Sequence, residues 1–153
     1  RSGWSMTGAG RIGSTVQTIV SQGRGLTLII QQGAAFQPPV QVVFTGSELS
    51  EKALILALDL GVKKGMPVAI HMLGSCARNG HTQARVQKIV ADYQVQAVAQ
   101  SLPENADLTR IAWAVGQHGT GPLFLPCEGP ELSGEGLQEL IGSLPNPVFL
   151  VRF

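Results

Sequence analysis

Residues 40–62, VQVVFTGSELSEKALILALDLGV, decide the fold. Val40, Val42, Val43 and Phe44 form a short β-branched and aromatic run entered through Pro38 and Pro39, which favours a strand over a helix. Gly46 and Ser47 make a tight turn. Ser47 is a good helix N-cap, Glu48 and Glu51 fall in the first turn where the helix dipole favours acids, and Leu49, Ala53, Leu56 and Leu60 recur at one-face spacing. Lys63, Lys64 and Gly65 supply the C-terminal chemistry of a helix. The stretch reads as the first βα unit of a parallel sheet.

Outward from it the same alternation continues. VAIHML (Val68 to Leu73) is a second buried strand, and TQARVQKIVADY is a helix with Val86, Ile89, Val90 and Tyr93 on one face. Gln94 to Gln100 alternates like a weaker strand near a sheet edge. Asn105 or Asp107 caps a helix carrying Leu108, Ile111, Ala112 and Val115, and Pro122 to Cys127 is the fourth strand. Leu137, Leu140, Ile141 and Leu144 form the last helical stripe before PVFLVRF closes the chain as a fifth strand. Strands alternating with helices of this length predict an α/β fold, a parallel sheet covered on both faces and joined by right-handed crossovers.

Composition bounds what the fold can do. The 153 residues are 44% apolar, enough for one core, and a net charge of +1 with 14% charged residues gives no footprint for nucleic acid or an anionic membrane. No apolar run approaches the ~18–20 residues of a membrane span, and the first residues lack the order of a signal peptide. Cys76 and Cys127 are too few for a disulfide framework and read as thiols in a reducing, cytoplasmic setting. A start at Arg1 rather than Met suggests a piece of a longer chain, which could include a membrane part.

Ahead of the first unit lie a Gly- and Ser-rich loop, a helix with Ile12, Val16, Ile19 and Val20 on one face, a strand at Leu26 to Ile30, and a linker. This piece repeats the end of the chain. At an offset of 121 residues Gly13 falls on Gly134, Gln17 on Gln138, Val16, Ile19 and Val20 on Leu137, Leu140 and Ile141, and Leu28 to Ile30 on Phe149 to Val151. So large an offset points to two domain-sized repeats with most of the first cut away. The expected organisation is a remnant of a preceding repeat at 1–33, a linker at 34–39 and a complete unit at 40–153.

With the turn TGSELSEKAL, the strand VAIHML and the terminal NPVFLVR together, the chain resembles the universal stress protein family. The resemblance rests on Gly46, Ser47, Glu48, Ser50 to Leu54, Pro147, Val148, Val151 and Arg152, and spans Val40 to Phe153. It implies a five-stranded sheet in the order 3-2-1-4-5, of the adenine nucleotide alpha hydrolase-like kind, and tandem or dimeric units. It also implies where a nucleotide would sit: Thr45, Gly46, Ser47, His71, Glu128, Gly129 and Gly134 in the complete unit. Gly3, Gly13 and Ser14 would be the remnant phosphate loop of the preceding repeat.

The complete unit departs from the family's nucleotide pattern. Thr45 stands where the first strand ends in an acid, and only four residues separate Gly129 from Gly134, with Pro130 lacking an amide donor. Glu128, Glu131 and Glu135 place negative charge where phosphates would go. His71, His81 and His118 have no metal-ligand spacing, so no metal is expected, and Gly46-Ser47 reads as a cap and not as a nucleophile elbow. Trp4 and Trp113 read as packing residues.

No acid, base and nucleophile cluster stands out, so the expectation is no enzyme but a regulatory stress-response domain with a degenerate site and no cofactor. It would act through tandem or homomeric packing. The last strand is an apolar edge that demands a partner, and Leu28 and Ile30 supply a matching edge for Phe149 and Val151, within one chain or between two. The alternatives are an ATP- or AMP-binding sensor, a small α/β enzyme using the same crevice, and the cytosolic regulatory tail of a membrane transporter.

Overall fold

The computed structural model describes residues 25–30, 36–74, 79–103, 107–128 and 134–152. The helix expected over residues 12–20, and with it Gly3, Trp4, Gly13 and Ser14, lies outside them. In chain order the elements are β1 (Gly25–Ile29), β2 (Val40–Phe44), α1 (Glu48–Lys64), β3 (Val68–Met72), α2 (Gly80–Ala91), β4 (Ala97–Ser101), α3 (Leu108–Gln117), β5 (Leu123–Pro126), α4 (Gly134–Ser143) and β6 (Val148–Arg152).

All six strands share one sheet in the order β1-β6-β5-β2-β3-β4. Strands β2 to β6 are mutually parallel where they pair and, counted within the unit, run 3-2-1-4-5. The sheet has six strands and not five because β1 joins it, antiparallel to β6, with Leu28 opposite Phe149 and Leu26 opposite Val151. Ile30 lies just beyond β1.

Alternation along the strands divides the core into two layers. Val40, Val42, Phe44, Ile70, Met72, Phe124 and Val151 pack under α1 and α2. Ile29, Val43, Leu123, Leu125, Val148 and Leu150 pack under α3 and α4. Each βαβ crossover therefore returns its helix to the face that buries its apolar side.

The helix caps follow from local chemistry. Ser47 accepts the Ser50 amide at the start of α1, Asn79 the His81 and Thr82 amides at α2, and Asp107 the Arg110 amide at α3. Gly65 ends α1 with φ 66°, the left-handed conformation that glycine adopts without cost.

Of the Leu49, Ala53, Leu56 and Leu60 stripe the spacing predicted, α1 fully buries only Ala53. Fully buried are Ser50, Ala53, Leu54, Ala57, Leu58 and Gly61, while those three leucines are partly covered and Ile55 is exposed. Small residues let this helix approach the sheet closely: a Cβ on Gly61 would stand 2.9 Å from both the Met66 carbonyl oxygen and a Val68 methyl. A helix apolar almost all round offers several stripes, and close approach selects among them.

Candidate functional site: the crevice beyond strands β2 and β5

The chain leaves β2 toward β3 on one side of the sheet and returns through β5 on the other. That reversal opens a crevice at the carboxyl ends of β2 and β5, where sheets of this kind hold ligands. Thr45, Gly46 and Ser47 line it from β2 and Glu128 from β5.

Glu128 closes on its neighbours. One carboxylate oxygen accepts a 2.5 Å hydrogen bond from the Thr45 hydroxyl and another from the Ser47 hydroxyl, and the two hydroxyls lie 3.2 Å apart. Two amides of the turn are engaged as well. Gly46 N–H donates to Ser50 Oγ at 3.1 Å, Ser50 N–H donates to Ser47 Oγ at 3.0 Å, and Ser50 Oγ donates back to the Ser47 carbonyl at 2.9 Å. Glu128 thus lays its charge at the positive end of α1, where the helix dipole favours an anion. A protein carboxylate holds the place a ligand anion would seek.

Of the remaining candidates, His71 belongs to a different network. Gly134 starts α4 with φ 61°, and Gly129 lies outside the described residues. His71 is fully buried beneath the α3 side of the sheet. Its Nε2 lies 2.8 Å from Gln41 Oε1 and its Nδ1 2.8 Å from Gln100 Nε2, so Nε2 carries the proton if the amides are oriented as assigned. Gln41 extends the chain to the Gly119 carbonyl, and the His118 ring stands edge-on at 5.2 Å. Burial first, then the charge of His118, holds the His71 pKa down at about 4.

The sequence reading missed Gln41, Gln100 and Asn146 as members of buried polar networks. Their signal was a polar residue inside an otherwise apolar strand, or just ahead of one, and such a residue needs a partner. Asn146 donates to the carbonyls of Gly119 and Gly121, at 3.2 and 2.7 Å, and ties the turn before β6 to the turn before β5.

Cys127, beside the crevice, is no activated nucleophile. Burial pushes its thiol pKa up against the opposing effect of Arg152. Among the described residues no three His, Cys, Asp or Glu side chains come together as metal ligands. No helix among them is long and apolar enough to cross a membrane.

Neither a protein-family model nor a curated protein matches the chain. Solved structures do. A universal stress protein from Archaeoglobus fulgidus superposes with a TM-score of 0.71 at 14% identity, over 92% of this chain and 54% of that one. The fold is that of the universal stress proteins. A second universal stress protein from the same organism gives 0.59 at 14% identity over 76% of this chain and 95% of that one. A member from Burkholderia pseudomallei gives 0.51 at 14% over 74% and 96%.

The chain thus spans about half the length of the first universal stress protein and nearly the whole of the other two. Residues 40–153 are about three quarters of the sequence, so a superposition over 92% takes in residues ahead of Val40.

Proposed function

We infer that this chain is a non-catalytic, stress-response module of the universal stress protein fold, with a degenerate nucleotide site, and that it works by packing against related units. Two expectations from the sequence join here: residues 1–33 as the end of a preceding repeat, and residues 40–153 as a complete unit.

The observation that carries this reading is a coincidence between repeat and register. The repeat equates Leu28 with Phe149, and the sheet sets Leu28 directly opposite Phe149. On either side Thr27 faces Leu150, the counterpart of Ile29, and Ile29 faces Val148, the counterpart of Thr27. Equivalent strands meeting in this way are related by a local two-fold axis, the arrangement of a self-complementary interface. Apolar surface gathers around that axis: Leu26 and Phe36 are 45% and 37% exposed, and the Phe36 and Phe124 rings pack on Phe149 at 6.0 and 4.4 Å. A preceding unit related by the axis would cover it.

Closure of the crevice by Glu128 supports the absence of ligand chemistry. The rival is an ATP or AMP sensor. Calorimetric titration with Mg-ATP, with AMP as control, separates them. The expected result is no heat at millimolar nucleotide; micromolar binding abolished by Thr45→Arg would favour the sensor.

A further inference from the structure

The sheet ends on one side at β1 and on the other at β4, and among the described residues no further strand pairs with β4. The hydrogen bonds at its two ends fix which way its backbone points. Val68 N–H donates to the Gln96 carbonyl at 2.8 Å, and Leu102 N–H donates to the Met72 carbonyl at 2.9 Å. A parallel ladder engages alternate residues, so Gln96, Val98, Gln100 and Leu102 serve β3. Ala97, Ala99 and Ser101 direct their N–H and C=O groups away from the sheet. Such a row is complementary to one thing, another extended strand.

The usual protections of an edge are missing. Ala97 to Ser101 contains no charge, proline or glycine, and no charged residue occurs from Tyr93 to Pro103. Val98 is 60% exposed. The charges of the adjacent α2 turn elsewhere: Arg85 bonds Glu51 of α1 at 3.1 Å, and Lys88 and Asp92 line the groove beside Ile55 of α1. Gln87 and Ala91 are exposed and uncharged on the rest of that helix.

The geometry points to a second copy of this chain, bound through β4 about a two-fold axis at Ala99. The strand is its own complement. Antiparallel pairing centred on Ala99 joins the two Ala99 residues by reciprocal N–H to C=O bonds, sets Ala97 against Ser101 of the second copy, and sets Val98 against its Gln100. Small faces small, and no like charges meet. Gln100 is already held by its 2.8 Å bond to His71 and loses little freedom on pairing. This interface lies at the opposite end of the sheet from the β1–β6 axis, so both can be occupied at once.

Sedimentation equilibrium of the full chain, from micromolar to millimolar, tests the proposal. A monomer–dimer equilibrium is expected. Ala99→Pro removes the central outward N–H at an edge position that tolerates proline and should raise the dimer Kd by roughly tenfold or more. Val98→Lys, at an exposed site, should weaken the dimer in the same direction, while Leu26→Lys on β1 should leave it unchanged. A chain that stays monomeric throughout, a dimer indifferent to both β4 variants, or one lost with Leu26→Lys would overturn the assignment.

Discussion

His71 shows how a single residue reports on the packing around it. Both ring nitrogens are occupied and the ring is neutral, with its pKa depressed to about 4 by burial and then by His118. In the unfolded chain the same ring titrates near 6.5, so between those values the unfolded state binds more protons. Stability should be level above pH ~6.5 and fall as the pH drops toward 4, by about 3 kcal/mol in all. Urea midpoints measured across that range check this, and the His71→Gln variant should lose most of the slope.

Gly121 is equally specific. A Cβ there would overlap the carbonyl oxygens of Pro39 and Gln37, backbone atoms that cannot rotate away. Gly121→Ala should therefore cost at least ~3 kcal/mol or prevent folding, read from thermal unfolding. Neither residue's role was legible in the sequence. A histidine in a strand looks much the same whether its partners lie on the neighbouring strands or are absent, and a glycine before a proline reads as an ordinary turn.

At the scale of the element, the sequence said most where periodicity and caps agreed. Ser47 caps α1 and Gly65 ends it as expected, and Asp107, one of the two expected candidates, caps α3. Asp107→Ala should lower stability by about 1 kcal/mol, since its carboxylate accepts the Arg110 amide at 3.0 Å. Gly65→Ala should cost about as much for a different reason: nothing lies within 4 Å of the added Cβ, so only the positive φ is at stake. Denaturant midpoints at unchanged m-value would show both as local effects.

Patterns were less decisive where an element is apolar on several sides. In α1 the spacing suggested a stripe of Leu49, Ala53, Leu56 and Leu60, and the sheet took a face that shares Ala53 and adds Ser50, Leu54, Ala57, Leu58 and Gly61, because short side chains bring the helix axis closer. The weaker strand expected over Gln94 to Gln100 is β4, shifted to Ala97–Ser101. Its alternation survives only faintly because an edge strand has little to bury.

At the scale of the molecule, the doubly covered parallel sheet followed from the run of βα units, and its strand order from the family resemblance. The crevice was harder to read. The family resemblance placed Thr45, Ser47 and Glu128 near one another, but only the fold shows the carboxylate bonded to both hydroxyls. His71 belongs to another network altogether, since the pleat turns its side chain under α3.

The proposed repeat makes β1 and β6 equivalent strands that meet about a two-fold axis at Leu28 and Phe149. Cys127 N–H donates to the Val151 carbonyl and Leu123 N–H to the Pro147 carbonyl, so the odd-numbered residues of β6 face β5. Leu28 and Phe149 are then a non-hydrogen-bonded pair, with Cα atoms at about 4.5 Å, close enough for a disulfide. The most direct measurement is oxidation of the Leu28→Cys, Phe149→Cys double variant, read by mass spectrometry of its disulfide-linked peptides. The expected result is a bond between positions 28 and 149 within one chain, absent when position 27 replaces 28. No bond, or one formed equally well from position 27, would contradict it.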